Sequence, residues 1–207
     1  MSPMPASQHP SPPLRDCVYG QAVGDALGVP YEFRARGTFG CTGMTGHGSH
    51  DQPAGTWSDD TSMALATCDS IRATGRGRTG DEVHAVSAIT HAHATSCEAC
   101  VRMVRVARRL IAGEGPRDVA GDFVGVPASQ IRSGGFVLDT ERAALWCLAN
   151  TSSYAECVLA AVNLGDDTDT TAAVAGGLAG IAYGMEGIPG EWLDALLGKA
   201  TIDACLF

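Results

Sequence analysis

Almost nowhere in this 207-residue chain do apolar and polar residues alternate with a period of two. Half-buried strands need that alternation, and helices need apolar residues three and four apart. The second pattern recurs throughout, so the class is all-α, and the expected architecture is a single-domain orthogonal helical bundle. Helices are expected over residues 14–28, 58–73, 81–94, 96–112, 138–149, 152–162, 168–183, 189–197 and 199–205. Residues 118–131 are ambiguous, because Gly121, Gly125 and Pro127 interrupt them. Residues 30–56 are rich in Gly with little periodicity and read as a long loop; long ordered loops in compact domains tend to be functional.

The first helix carries Gly20, Gly24 and Gly28 at a spacing of four. Glycine inside a helix costs roughly 1 kcal/mol relative to alanine. Close approach of another backbone is one reason to tolerate three on one face. Aromatic residues make up only 6% of the chain, and small residues favour close helix packing over an aromatic-filled sandwich.

The formal net charge of −9 argues against a general nucleic-acid binder, which needs a basic footprint. No run of eighteen apolar residues exists, so no membrane span is expected. Residues 1–13 hold five of the ten prolines and have no apolar stretch of signal-peptide type. They read as a disordered leader before a domain over 14–207, and a cytoplasmic protein is the expectation. The eight cysteines then read as reduced packing thiols rather than as disulfides.

Two segments carry the chemistry: Gly55-Thr56-Trp57-Ser58-Asp59-Asp60-Thr61 and Asn163-Leu164-Gly165-Asp166-Asp167-Thr168-Asp169-Thr170-Thr171. Each sets carboxylates and hydroxyls at the start of an expected helix, where the helix dipole favours acids. Taken singly, either is an ordinary capped helix. Taken together they offer only oxygen. Carboxylates that converge without a cation repel and raise one another's pKa. An all-oxygen set suits Mg²⁺, Mn²⁺ or Ca²⁺ and disfavours zinc.

Three stretches in this order resemble the ADP-ribosylglycohydrolase family, which includes the dinitrogenase reductase-activating glycohydrolase. They are Gly24-Asp25-Ala26-Leu27-Gly28 running on to Glu32-Phe33, the first acid turn, and NLGDDTDTTAAVAGGLAG. The resemblance implies a dinuclear site for two Mg²⁺ ions, or Mn²⁺ in their place. Its ligands would be Ser58, Asp59, Asp60, Asp167, Asp169 and Thr170. Asp166 stands where some members have Gly and has no place in that pattern. The resemblance makes Glu32 and Asp60 catalytic, with Glu32 activating water or moving a proton. His91, in a Thr-His stretch, and the loop Ser133-Gly134-Gly135 would line the ADP-ribose pocket. The implied reaction is hydrolysis that removes ADP-ribose from a modified protein side chain or a small acceptor. Asp25 reads as a cap or a supporting bond rather than as a catalytic group.

Between the second helix and the Thr-His stretch, family members usually carry a long segment with a G-N-G-x-x-M-R motif. Here only Gly75 to Gly80 fills that place. The second reading is therefore an ADP-ribose or nucleotide-binding module that keeps metals without turnover. His91, His93, Cys97 and Cys100 have donors suited to zinc, but a continuous helix spreads them around its wheel. Arg102, Arg105, Arg108 and Arg109 form a basic helix face, read as solvated or paired within the chain.

Overall fold

The chain's first and eighth helices lie so close that side chains have been removed to let them touch. In the computed structural model, which describes residues 12–75 and 79–207, α1 spans Pro12–Gly28 and α8 spans Thr168–Tyr183. A Cβ at Gly20 would collide with the Gly176 carbonyl oxygen, one at Gly24 with that of Ala172, and one at Gly28 with the Asp169 backbone. The glycine row expected to receive another backbone receives α8. Alanine and glycine on α8 answer it from the other side: Gly176 faces Gly20, and Gly180 faces Asp16.

Around this pair stand α2 (Asp59–Thr74), α3 (Gly80–Ser87), α4 (Ala94–Ile111), α5 (Pro116–Val119), α6 (Val137–Asn150), α7 (Tyr154–Asn163), α9 (Gly190–Ala195) and α10 (Lys199–Cys205). Among the described residues there is no strand, only one isolated bridge between His47 and Gln52. The all-α expectation holds. None of the described helices is long and apolar enough to cross a membrane. Helix α8 is central, packed by α1, α6 and α7, and most of it is buried. Tyr154, fully buried at the start of α7, donates its hydroxyl to the Gly20 carbonyl at 2.6 Å and ties that helix to α1.

Most helix ends follow from local chemistry. Ser58 caps α2, and Gly75 closes it in the left-handed conformation, its N–H reaching the Ile71 carbonyl. Thr79 and Glu82 form a reciprocal capping box on α3. The expectation of a helix from 81 to 94 needs correction. Helix α3 stops at Ser87, and His93 takes an extended conformation and caps α4, its Nδ1 accepting from the Thr95 N–H at 3.2 Å. A side-chain acceptor at His93 offered a new start, and the preceding segment became a turn. Residues 118–131 resolve into the end of α5 and two 3-10 turns. The leader reading for residues 1–11 lies outside the described residues, whereas Pro12 and Pro13 belong to α1, where a first-turn proline costs no hydrogen bond.

The eight cysteines carry no disulfide. Two arginines of the basic α4 face are paired within the chain: Arg102 grips Glu141 through two bonds of 2.8 and 2.6 Å, and Arg109 grips Glu114. Trp57 and Trp146 each spend their indole N–H on a backbone carbonyl, of Leu197 and Val126 respectively.

Candidate active site

The first acid turn is positioned from α1. Asp25, fully buried, accepts the Ser58 N–H at 2.9 and 3.0 Å and the Thr61 N–H and hydroxyl at 3.0 and 2.5 Å. Burial raises its pKa, and hydrogen bonds from Thr61 and Ser58 pull it back. The N-terminus of α2 is thereby fixed on α1. Ser58 Oγ accepts from the Asp60 N–H at 3.3 Å, and Gln21 donates to the Asp60 carbonyl. Asp59 is exposed beside them.

The second acid turn is positioned from two directions. Thr168 Oγ1 donates to the Gly28 carbonyl, and the Asp167 N–H donates to the Ser133 carbonyl at 3.0 Å. Asp167 occupies the N-cap of α8 without using its carboxylate as a cap. Asp166 stands in the left-handed region at φ 63° and exchanges backbone bonds with the loop after α1: Phe33 N–H to Asp166 O, and Asp166 N–H to Arg34 O. That exchange hangs Glu32 over the turn.

The two turns meet. Thr170 Oγ1 donates to Asp60 Oδ2 at 3.2 Å across 110 positions of sequence. Glu32, Asp167 and Asp169 each present a carboxylate oxygen within 4.8 Å of the other two. Asp169 is 4% exposed, and its Oδ1 has no hydrogen-bond partner. Burial, and then the charges of Glu32, Asp167 and Asp60, push its pKa up to about 8. Asp60 is pushed up to about 6, again by burial first and then by Asp25, Asp59 and Asp167, against the Thr170 bond. A buried carboxylate oxygen left orphaned in an all-oxygen, like-charged set is the environment a hard divalent cation relieves. The residues present fit such an ion.

The pocket residues divide. The Ser133 hydroxyl is buried and donates to the Leu164 carbonyl at 3.0 Å, so it serves the loop's own fold. A Cβ at Gly135 would lie 3.1 Å from Asp167 Oδ2, so the loop passes close to the second acid turn there, whereas nothing lies within 4 Å of one at Gly134. His91 is exposed in the turn before α4 with its ring on Thr90 Oγ1; none of the hydrogen bonds or ion pairs among the described residues joins it to either acid turn. The zinc-type donors are separately engaged: His93 caps α4, Cys97 points to the His91 carbonyl, and Cys100 to Ser87.

Two residues escaped the sequence reading. His50 Nε2 donates to Glu32 Oε2. Arg36 donates to the carbonyls of Leu164, Ala128 and Ile131 at 2.6–2.7 Å and clamps the loop before α6 against the second acid turn. Only a histidine in the Gly-rich loop and an arginine near Glu32 were visible in the sequence, and neither position carries a periodic signal.

This all-α chain, with carboxylates from two helix N-termini gathered beside a loop glutamate, is a hydrolase of glycosidic bonds by its family and relatives. It belongs to the ADP-ribosylglycohydrolase family, which matches residues 13–86 and 77–206. The ADP-ribosylarginine hydrolase Tri1 of Serratia proteamaculans is 27% identical, the match covering 91% of this chain and 76% of that protein. The ADP-ribosyl-[dinitrogen reductase] glycohydrolase of Rhodospirillum rubrum is 36% identical over 55% of this chain and 42% of its own length. A solved structure, an ADP-ribosylglycohydrolase-related protein complex, superposes with a TM-score of 0.81 at 27% identity, covering 94% of this chain and 95% of that one. The Serratia alignment extends over 278 positions, more than this chain possesses, and the family matches the chain in two pieces that share residues 77–86. The shortened stretch noted in the sequence thus falls where the match divides.

Proposed function

We propose that the protein removes ADP-ribose from a modified protein side chain, with arginine the first linkage to test. The observation that carries this reading is the convergence of Glu32, Asp60, Asp167 and Asp169, with one buried oxygen of Asp169 unpartnered. The names of the Serratia and Rhodospirillum relatives support the substrate class. Ser58, Asp59, Asp60, Asp167, Asp169 and Thr170 would hold two Mg²⁺ or Mn²⁺ ions. Such ions, when bound, neutralise the carboxylates and supply Lewis-acid polarisation.

The rest of the chemistry falls to the chain. The backbone of Gly134 and Gly135 faces the diphosphate, and His91 lines the pocket further out. Glu32 takes a proton from water as the water oxygen bonds to the anomeric carbon and the bond to the acceptor nitrogen breaks. The proton passes to that nitrogen, giving free ADP-ribose and unmodified arginine. Asp60 contributes to the same step from within the ligand set. The eight free thiols suit a reducing compartment such as the cytoplasm.

The shortened stretch at residues 75–80 favours a second reading, a module that binds ADP-ribose and keeps metals without turnover. The test is release of free ADP-ribose from ADP-ribosylated arginine and serine peptides with Mg²⁺, Mn²⁺ or EDTA. Metal-dependent release supports the hydrolase and begins to name the linkage. Metal binding by calorimetry with no release from either peptide supports the module.

A further inference from the structure

We propose that His50 is a positioning residue that holds the Glu32 carboxylate in its working orientation, an assignment that rests on the catalytic reading of Glu32. Glu32 ends a 3-10 turn in an extended conformation, on a loop, and its side chain is 18% exposed. A glutamate on a loop loses rotamer freedom only if something holds its head group. His50 does so through its Nε2–H, which donates to Glu32 Oε2. Ser49 holds the same residue from behind, its hydroxyl donating to the Glu32 carbonyl at 2.6 Å.

The turn that presents His50 is built for close approach. Gly48 sits against the Pro30 carbonyl with no room for a Cβ. The His47 N–H meets the Gln52 carbonyl, and the Gln52 amide returns to the His50 carbonyl at 3.1 Å. Among the described residues, the non-glycine positions with positive φ are Phe33, His47, Asp51 and Asp166. All four lie in the loops that meet at Glu32. Strained backbone of this kind persists where the surroundings over-determine it, and it gathers at functional sites.

The contact is also placed where others are not: His50 reaches the acid cluster, whereas His47, Arg72, Arg102, Arg109 and Arg132 meet Asp51, Asp69, Glu141, Glu114 and Asp139 away from it. His50 therefore turns Glu32 by a directional bond while Asp167 and Asp169 repel it.

The experiment compares wild type, Glu32→Gln, His50→Ala and His50→Gln in the full chain, with Mn²⁺ and an ADP-ribosylated arginine peptide. Glu32→Gln is expected to lose turnover by about a hundredfold or more. His50→Ala is expected to lose kcat by about tenfold to a hundredfold with KM, Mn²⁺ affinity and thermal midpoint near wild type, the pattern of a misplaced group. His50→Gln, whose amide still donates a hydrogen bond, is expected to recover most of that loss. Wild-type kcat in His50→Ala beside a dead Glu32→Gln overturns the role of His50 alone. Wild-type kcat in Glu32→Gln overturns the reading of Glu32 and this proposal with it. The contact is also read without turnover: the His50 imidazole nitrogen resonances should shift in Glu32→Ala, and unmoved resonances overturn the proposal.

Discussion

Both carboxylate oxygens of Asp25 accept the backbone N–H of Ser58, at 2.9 and 3.0 Å, across 33 positions of sequence. One acid from the last turn of α1 thereby sets where α2 begins. Asp25 spends its charge on donors, in contrast to Asp169, whose Oδ1 is left over. The structure thus separates an acid that supports the site from the acids that form it.

Asp25→Ala should be strongly destabilising. It strands the N–H groups of Ser58 and Thr61 and the Thr61 hydroxyl in a buried place. Losing such charge-assisted bonds costs about 3 kcal/mol. For a chain of this size that lowers Tm by about 6–12 °C. Thermal unfolding followed by circular dichroism measures it, and a midpoint matching wild type would remove Asp25 from the scaffold.

Gly24→Ala should also destabilise, by a different route. Its methyl group has no space beside the Ala172 carbonyl, so α1 and α8 must separate. Overpacking of this kind costs about 1–3 kcal/mol. Gly40→Ala is the control, since open space surrounds that position. Equal midpoints for the two variants would mean that α1 and α8 do not pack as closely as described.

The legibility of this chain divides along the same line. Helices 168–183 and 199–205 are read from the sequence with the bounds they have, because a glycine of positive φ marks an end of each, Gly184 after the first and Gly198 before the second. Both acid turns are legible because helix N-termini concentrate carboxylates. The break between α3 and α4 is not legible, because His93 acts through a local side-chain bond that periodicity does not register. Neither are His50 and Arg36. Their partners lie 18 and 128 positions away, brought near by loop geometry rather than by any repeat.

Asp169→Asn should act in opposite directions with and without metal. In EDTA near pH 8 it removes a charge that burial and Glu32 disfavour. The variant should then match or exceed wild type, by about 1–2 kcal/mol or about 3–6 °C. With saturating Mn²⁺ the wild type should rise and the variant should not, because ligand binding stabilises only the state that binds. A full metal-induced shift in Asp169→Asn excludes Asp169 as a ligand.

The same carboxyl group gives the metal-free protein a pH dependence of fixed sign. The folded-state pKa of Asp169, about 8, lies above the ordinary value of 3.8. Its stabilising contribution is complete below the ordinary value and is lost as pH rises through about 8. Asp60 acts in the same direction up to about 6. In EDTA, wild-type Tm should therefore fall from pH 6 to pH 9, and the gap between Asp169→Asn and wild type should widen. Subtracting the two profiles cancels the histidines they share. A gap that does not change with pH is the outcome that contradicts a raised Asp169.

Arg36→Lys should fail despite keeping its charge. The Arg36 guanidinium serves the carbonyls of Leu164, Ala128 and Ile131 at once, at 2.7, 2.7 and 2.6 Å. A lysine ammonium is a point charge on a flexible stem and lacks the planar fork those three directions require. The loop carrying Gly134 and Gly135 would then loosen beside Asp167. Bonds from a charged group are worth about 1.5–3 kcal/mol each, so losing part of the clamp should lower Tm by several degrees. Because the Asp167 N–H also donates to the Ser133 carbonyl in that loop, Mn²⁺ affinity should fall as well. Calorimetry on Arg36→Lys decides whether the clamp matters to the site: unchanged affinity beside a lowered Tm would confine Arg36 to the fold.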